Sequence, residues 1–408
     1  MKILFYIAFI FFTVFYSEKA LSEFLSISDV NRIVGQAKGE ASALGINNAV
    51  IAISDRVGNI LAVYAMNPDD IPNITITSGR GIAIGNGLES LSLPITPLAA
   101  ISKAITGAYL SSSGNAFTTR TASQIVQEFF NPGEKGQPAG PLFGVQFSQL
   151  ACSDLMRFGE NIGIGPRRSP LGLSADPGGL PLYKNGKVVG GVGIISDGIY
   201  GLDLNVGDYD RNTDEIISIA AQRNFEPPEE IKGYRITVEG KNFRYTDVNE
   251  RFLTGNGNIS SLNTESFISV EGYIDNSPRS GREYGSAHSG IRKANNNNFP
   301  GVNAFILDDG LGNNRYIPRD SLVPPIDGGG LTSLEVRTII IEALKVAFRA
   351  RAQIRRPLGS HAQVTVSIVD TESNILAIAR TPDAPIFGTD VSLQKARTTV
   401  FVSRASTA

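Results

Sequence analysis

Ala49-Val50-Ile51-Ala52-Ile53-Ser54-Asp55-Arg56-Val57-Gly58-Asn59-Ile60-Leu61-Ala62-Val63-Tyr64 decides the fold. Two apolar, β-branched runs flank a short polar turn with Gly58-Asn59 at its end, which is the pattern of an antiparallel hairpin. Upstream, Leu25-Ser26-Ile27-Ser28-Asp29-Val30 leads into Val30, Ile33, Val34 and Ala37 at helical spacing. Ser28 sits near the N-cap of that helix and Asp29 falls in its first turn, where an acid meets the positive end of the helix dipole. Downstream, Ile101-Ser102-Lys103-Ala104-Ile105-Thr106 belongs to a further helix.

The same order of elements returns near the end of the sequence. Leu331-Thr332-Ser333-Leu334-Glu335-Val336 opens a helix with Val336, Ile339, Ile340 and Ala343 in the matching places, capped near Ser333. Val364 to Asp370, Ser373-Asn374 and Ile375 to Ile378 form the matching hairpin, and Leu393-Gln394-Lys395-Ala396-Arg397-Thr398 the matching lysine helix. Ser111 and Ser403 fall at equal distances after the paired lysines. The first copy continues with a helix expected over Thr118 to Phe130 and a Gly/Pro-rich excursion, residues 131–179. A second hairpin turned at Asn185-Gly186 and a closing helix over Asp214 to Ala221 follow. The second copy stops at Ala408 without them, so the expectation is a fragment, or another segment that completes the module; a half-built sheet would leave an unpaired edge. Residues 225–326 read as a β-rich insert and linker, with strands expected at Tyr234–Val238 and Phe267–Tyr273. The organisation expected is therefore 1–22, 23–224 with its loop insertion 131–179, 225–326, and 327–408. The fold class is α+β, an antiparallel sheet with helices packed on it, the module repeated twice and the second copy incomplete.

Bulk properties fit that layout. At 408 residues, two or three domains are expected. A formal net charge of -2 offers no basic footprint for nucleic acid. Lys2, the apolar run Ile3 to Tyr16 broken only by Thr13, and Ala20-Leu21-Ser22 have the layout of a secretory signal peptide cleaved after Ser22. That run is shorter than the roughly 20 apolar residues that span a bilayer. The expectation is an exported protein, periplasmic or extracellular, with no membrane span after cleavage. The single cysteine, Cys152, permits no intramolecular disulfide and reads as a small buried hydrophobe.

The helix, the Asp-x-x-Gly-Asn-x-Leu-Ala hairpin, the Lys-Ala-x-Thr helix and the Gly-x-x-Val-Gly-Gly-Val-Gly hairpin together resemble the GlcG/HbpS family of haem-binding, "haem-degrading" domains. Ser113-Gly114-Asn115-Ala116-Phe117-Thr118 and Gly140 to Phe147 are similar to its exported, two-module branch. The likeness covers residues 24–222 and 327–408. It implies a helix-covered antiparallel sheet, self-association into a homo-oligomer and a small-molecule ligand, with haem the one the family name suggests.

Haem iron takes a His, Cys, Met or Tyr ligand. The only histidines, His288 and His361, lie outside the first copy and also read as exposed loop residues. Tyr64, Tyr109, Tyr183, Cys152, a methionine, or no strong axial bond are the alternatives there. Lys103 and Thr106 share a helix face at i, i+3. Arg120 could clamp a carboxylate or a propionate through two hydrogen bonds. Lys103, Thr106, Tyr109, Arg120 and Thr121 are thus the candidate ligand-binding set, against a purely structural role in ion pairs and packing. Asp208 to Asp214 places oxygens at alternate positions as a calcium loop does, yet Thr213 and Ile219 stand where Gly and Glu belong. No acid/base pair or nucleophile with its base is apparent, and no catalytic residue is assigned. The function expected is small-molecule binding as sensor, scavenger or accessory, with degradation of haem or conversion of another small molecule in the same pocket as the alternative.

Overall fold

The computed structural model describes residues 23–77, 88–130, 136–145, 148, 153, 155, 164–203, 205, 207–255, 258–322 and 330–403. Residues 1–22, expected above to be a signal peptide, Cys152, the glycine-rich 79–87 and most of 146–163 lie outside the described residues. In chain order the regular elements begin with α1 (Ile27–Ala43), β1 (Val50–Asp55), β2 (Ile60–Ala65), β3 (Ile74–Ile76), β4 (Ser92–Leu93), α2 (Thr96–Leu110) and α3 (Thr119–Ile125). Then come β5 (Gly179–Lys184), β6 (Lys187–Ile195), β7 (Ile199–Tyr200), α4 (Thr213–Gln222), β8 (Thr237–Val238) and β9 (Lys241–Asn242). The last are β10 (Ile291–Lys293), β11 (Phe305–Leu307), α5 (Ser333–Arg349), β12 (Thr365–Val369), β13 (Ile375–Arg380) and α6 (Gly388–Ser403). The molecule is α+β with antiparallel main sheets. Among the described residues no helix is long and apolar enough to cross a membrane.

The first sheet has strand order β2-β1-β6-β5, all antiparallel. Successive side chains of a strand point to opposite faces. Val50 and Ala52 accordingly join the core beneath α2, with Ile101, Ala104, Ile105 and Ala108. Ile51 and Ile53 face α1 and α4, against Val30, Ile33, Val34, Ile217 and Ala221. The second sheet has the order β10-β11-β13-β12. Its outer face holds Val336, Ile340 and Leu344 of α5 against Leu376, Ala377 and Ala379. Ile378 on its other face, with Leu393 of α6, enters the same core as α2, so the two sheets share one apolar interior.

The two hairpins match in detail. β1 and β2 slip register between Ile53 and Ser54, and β12 and β13 between Ile368 and Val369. Gly58 and Ser373 hold the same turn position with φ +84° and +68°. Both leading helices carry a capping box, Ser26 with Asp29 and Thr332 with Glu335, so the caps lie one or two residues before the serines expected. Asn185-Gly186 turns the β5–β6 hairpin with positive φ at both residues. The helix expected to reach Phe130 ends at Ile125.

Residues 225–322 differ from expectation. Among the described residues they hold four strands of two or three residues each and several 3-10 turns, one of which replaces the start of the strand expected at Tyr234. Phe267 forms a single bridge to Tyr64 in place of a strand. This stretch instead closes sheet edges: Ile268 N–H donates to Val63 O along β2, and β11 pairs with β13.

Candidate functional site

The candidate residues in the first half are all buried and bonded internally. Lys103 is 0 % exposed; its Nζ donates to Asp214 at 2.7 Å and to Ile194 O at 2.8 Å, and also pairs with Asp176. Thr106 Oγ1 donates to Ser102 O and accepts from Ser174 N–H. Tyr109 Oη donates to the carbonyls of Val57 and Arg167. Thr121 completes the capping box of α3 with Thr118 and donates to Arg244 O. Arg120 forms ion pairs with Asp203 at 2.9 Å, Asp247 at 3.1 Å, Glu215 at 3.2 Å and Asp210 at 3.3 Å. Those carboxylates raise its pKa over the opposing effect of burial. Asp203, Asp208 and Asp210 bring ligand oxygens within 4.8 Å of one another, but the Arg120 guanidinium already neutralises two of the three. Lys103 and Thr106 therefore share one polar network near Asp176, whereas Arg120 and Thr121 belong to another near Glu215.

His288 is exposed in a 3-10 turn, and His361 packs on Phe348 with its ring bonded to Gln363 at 2.8 Å. Neither lines a described cleft.

A described cleft lies elsewhere, at the turn of the second hairpin. Its volume is about 490 Å³, within the usual range of small-molecule sites. The turn is held by Asp370, whose carboxylate accepts from the N–H groups of Glu372 and Asn374, both at 2.9 Å, and from Asn374 Nδ2 at 3.0 Å. Burial alone would raise its pKa, but these donors outweigh that effect and leave it below the usual carboxylate value. Residues 314–319 form the facing wall. An Asx turn from Asn314 sets Tyr316, and Arg315 Nη2 donates to Tyr316 Oη at 3.3 Å and to Leu155 O at 2.9 Å. Arg319 Nε donates to Ile375 O at 2.7 Å, and Arg397 of α6 donates through Nε to Ser373 O at 3.3 Å. Three guanidiniums thus line one cleft with Ile317, Pro318 and Ile375 as its apolar surface, and no described lining residue is a carboxylate. Such a cavity holds a positive potential that favours anions. Of these residues, the sequence points to the turn with Ile375 as part of the repeated hairpin, Arg397 as part of the repeated helix and Pro318 as part of a linker, none of them as a ligand site. The run Asn314-Arg315-Tyr316 to Arg319 was the unused signal.

No protein-family model matches the chain, and no curated protein does. The chain is similar to several solved structures, two of which follow. One is the Klebsiella pneumoniae protein ORFY, of DUF336, with 16% identity, 51% of this chain and 94% of that chain covered, and a TM-score of 0.28. The other is a PduOC–haem complex, with 17% identity, 49% and 93% covered, and a TM-score of 0.29.

Proposed function

We propose that this is an exported small-molecule-binding protein of the haem- or tetrapyrrole-binding kind, built from two copies of one α+β module of which the second is incomplete. The cleft at the second hairpin turn is its ligand site. One observation carries the reading: three arginines and a tyrosine line a cleft of about 490 Å³ that has no described carboxylate. A tetrapyrrole has an apolar ring and two propionates. Arg315, Arg319 and Arg397 would hold the carboxylates, and Ile317, Pro318 and Ile375 would meet the ring. Tyr316 supplies the one side-chain oxygen of a type that binds haem iron. When bound, the iron would bring the redox chemistry; the chain's own residues bind and orient. The matching hairpin registers, turn aspartates and capping boxes support the doubled module.

Titration of the purified protein with haemin tests the reading. A saturable Soret shift is expected, and Arg319→Glu should weaken it about tenfold or more, since a charge-assisted hydrogen bond is worth about 1.5–3 kcal/mol. Absence of a saturable shift sinks haem as the ligand.

A further inference from the structure

We propose that the first hairpin turn carries a second, smaller ligand site, for a small oxyanion that brings a hydrogen-bond donor of its own. Hydrogen phosphate and the carboxylate of an α-hydroxy acid share that chemistry. The pocket encloses about 70 Å³. That is room for several water-sized groups and far too little for a tetrapyrrole.

Its chemistry repeats that of the larger cleft. Arg167, Arg279 and Arg282 line it together with Tyr273 and Asn59, and no described lining residue is a carboxylate. Arg167 is 2% exposed, with Nη2 donating to Gly272 O at 3.0 Å. Desolvation by burial lowers its pKa below the ordinary arginine value although Tyr109, Tyr273 and the nearby Asp55 act to raise it, and a further negative charge in the pocket would favour its charged form. Arg279 pairs at 2.8 Å with Asp275, a carboxylate that is itself 65% exposed and so weakly held.

Asn59 adds the second requirement. It is 7% exposed, and its Nδ2 donates to Asp55 at 2.8 Å. Asp55 also accepts from the N–H groups of Val57, Asn59 and Arg282. Turning the amide over would set Oδ1 against that carboxylate, so the orientation is fixed by its partners. Oδ1 is then a buried acceptor without a hydrogen-bond donor. Leaving such a group unsatisfied costs about 1–3 kcal/mol. A pocket with cationic walls and one unmet acceptor suits an anion that carries an O–H. Sulfate, of similar size and without a proton at neutral pH, meets only the first of these demands.

Calorimetric titration of the purified protein near pH 6.5 with inorganic phosphate, lactate and sulfate tests the site. Phosphate or lactate should bind one to one, whichever binds more tightly naming the source, with sulfate at least tenfold weaker. Arg167→Gln should weaken that binding about tenfold or more, and Arg282→Ala, an exposed-rim change that leaves the fold intact, should weaken it as well. No saturable heat from either donor-bearing anion, equal binding of sulfate, or unchanged affinity in Arg282→Ala would each overturn the proposal. The haemin titration separates the two sites: Arg282→Ala should leave it unaltered, and stoichiometric displacement of phosphate by haemin would show a single site.

Discussion

At the scale of single residues, the Lys103 network shows how burial and pairing oppose each other. Desolvation, only partly offset by the nearby Lys103 charge, leaves Asp176 raised to about 7 and Asp214 to about 6. Lys103 itself is raised, because its carboxylate partners outweigh its own burial. A carboxylate whose folded pKa lies above its unfolded value of about 3.9 binds more protons in the folded state between those two values. Its contribution therefore declines as pH rises from about 4 to 7 and is level above that. Lys103 has the opposite limb: its stabilisation is intact below an unfolded pKa of about 10.4 and fades only at higher pH. Urea unfolding of wild type and Asp176→Asn across pH 4 to 8 should show a stability difference that moves in the variant's favour as pH rises to 7. A difference that stays constant with pH would refute the shift. Lys103→Met, which strands two buried carboxylates, should cost about 3–5 kcal/mol at neutral pH. The sequence exposes Lys103 through its repeated Lys-Ala-x-Thr setting, but its partners come from distant chain segments, and no local pattern joins them. Its counterpart Lys395 is exposed, so the repeated motif does not carry the same surroundings in both halves.

At the scale of elements, periodicity made both hairpins and the helices α1, α2, α4, α5 and α6 legible, since strand alternation and helical spacing are local properties. The clefts were not legible, because arginines from the insert meet hairpin turns that are remote in sequence. The failed strand at Phe267 has a physical reason as well. Phe267 packs edge-to-face on Tyr64, ring centroids 5.1 Å apart, and so serves as a plug for the β2 edge. A short apolar run reads the same whether it extends a sheet or seals one. The glycines of β6 are the clearest case of sequence dictating an interface. A Cβ on Gly191 would stand 2.1 Å from Ala104 O, and one on Gly193 would stand 2.2 Å from Ala100 O, both backbone atoms of α2. The helix lies against the strand because those side chains are absent. Gly193→Ala must push α2 off the sheet and should destabilise by about 1–3 kcal/mol or more. Gly388→Ala, where a Cβ meets open space, should stay within about 0.5 kcal/mol. Thermal unfolding of the pair is the check, and equal effects would show that close helix–strand contact is not what Gly193 provides.

At the scale of the whole molecule, the two sheets are extended on different sides. β1 is central in the first, with β6 on one flank and β2 on the other. β12, its geometric counterpart, has only β13 beside it among the described residues, because β11 joins the far side of β13. The insert thus extends the second sheet through β11 on the β13 side, and among the described residues nothing pairs with β12 on the other. The helix above that edge carries the same imbalance. Ile33 of α1 is 0% exposed beside α4, whereas Ile339, its counterpart on α5, is 44% exposed. Leu334 and Val346 stand exposed on the same helix. An unpaired strand edge beside an apolar helix flank is a template for pairing with another chain. The resemblance read from the sequence implies a homo-oligomer; if it forms through this edge, light scattering after size exclusion should give a mass above that of one chain. Hydrogen exchange carries the assignment to the element. Outward amides of β12 should gain protection as protein concentration rises, whereas those of β1, bonded to β6, should be protected at every concentration. Ile339→Glu should lower the mass to that of one chain without lowering the unfolding midpoint, since that side chain is already half in solvent. A single-chain mass at all concentrations, with β12 amides exchanging freely throughout, would rule out self-association through this edge.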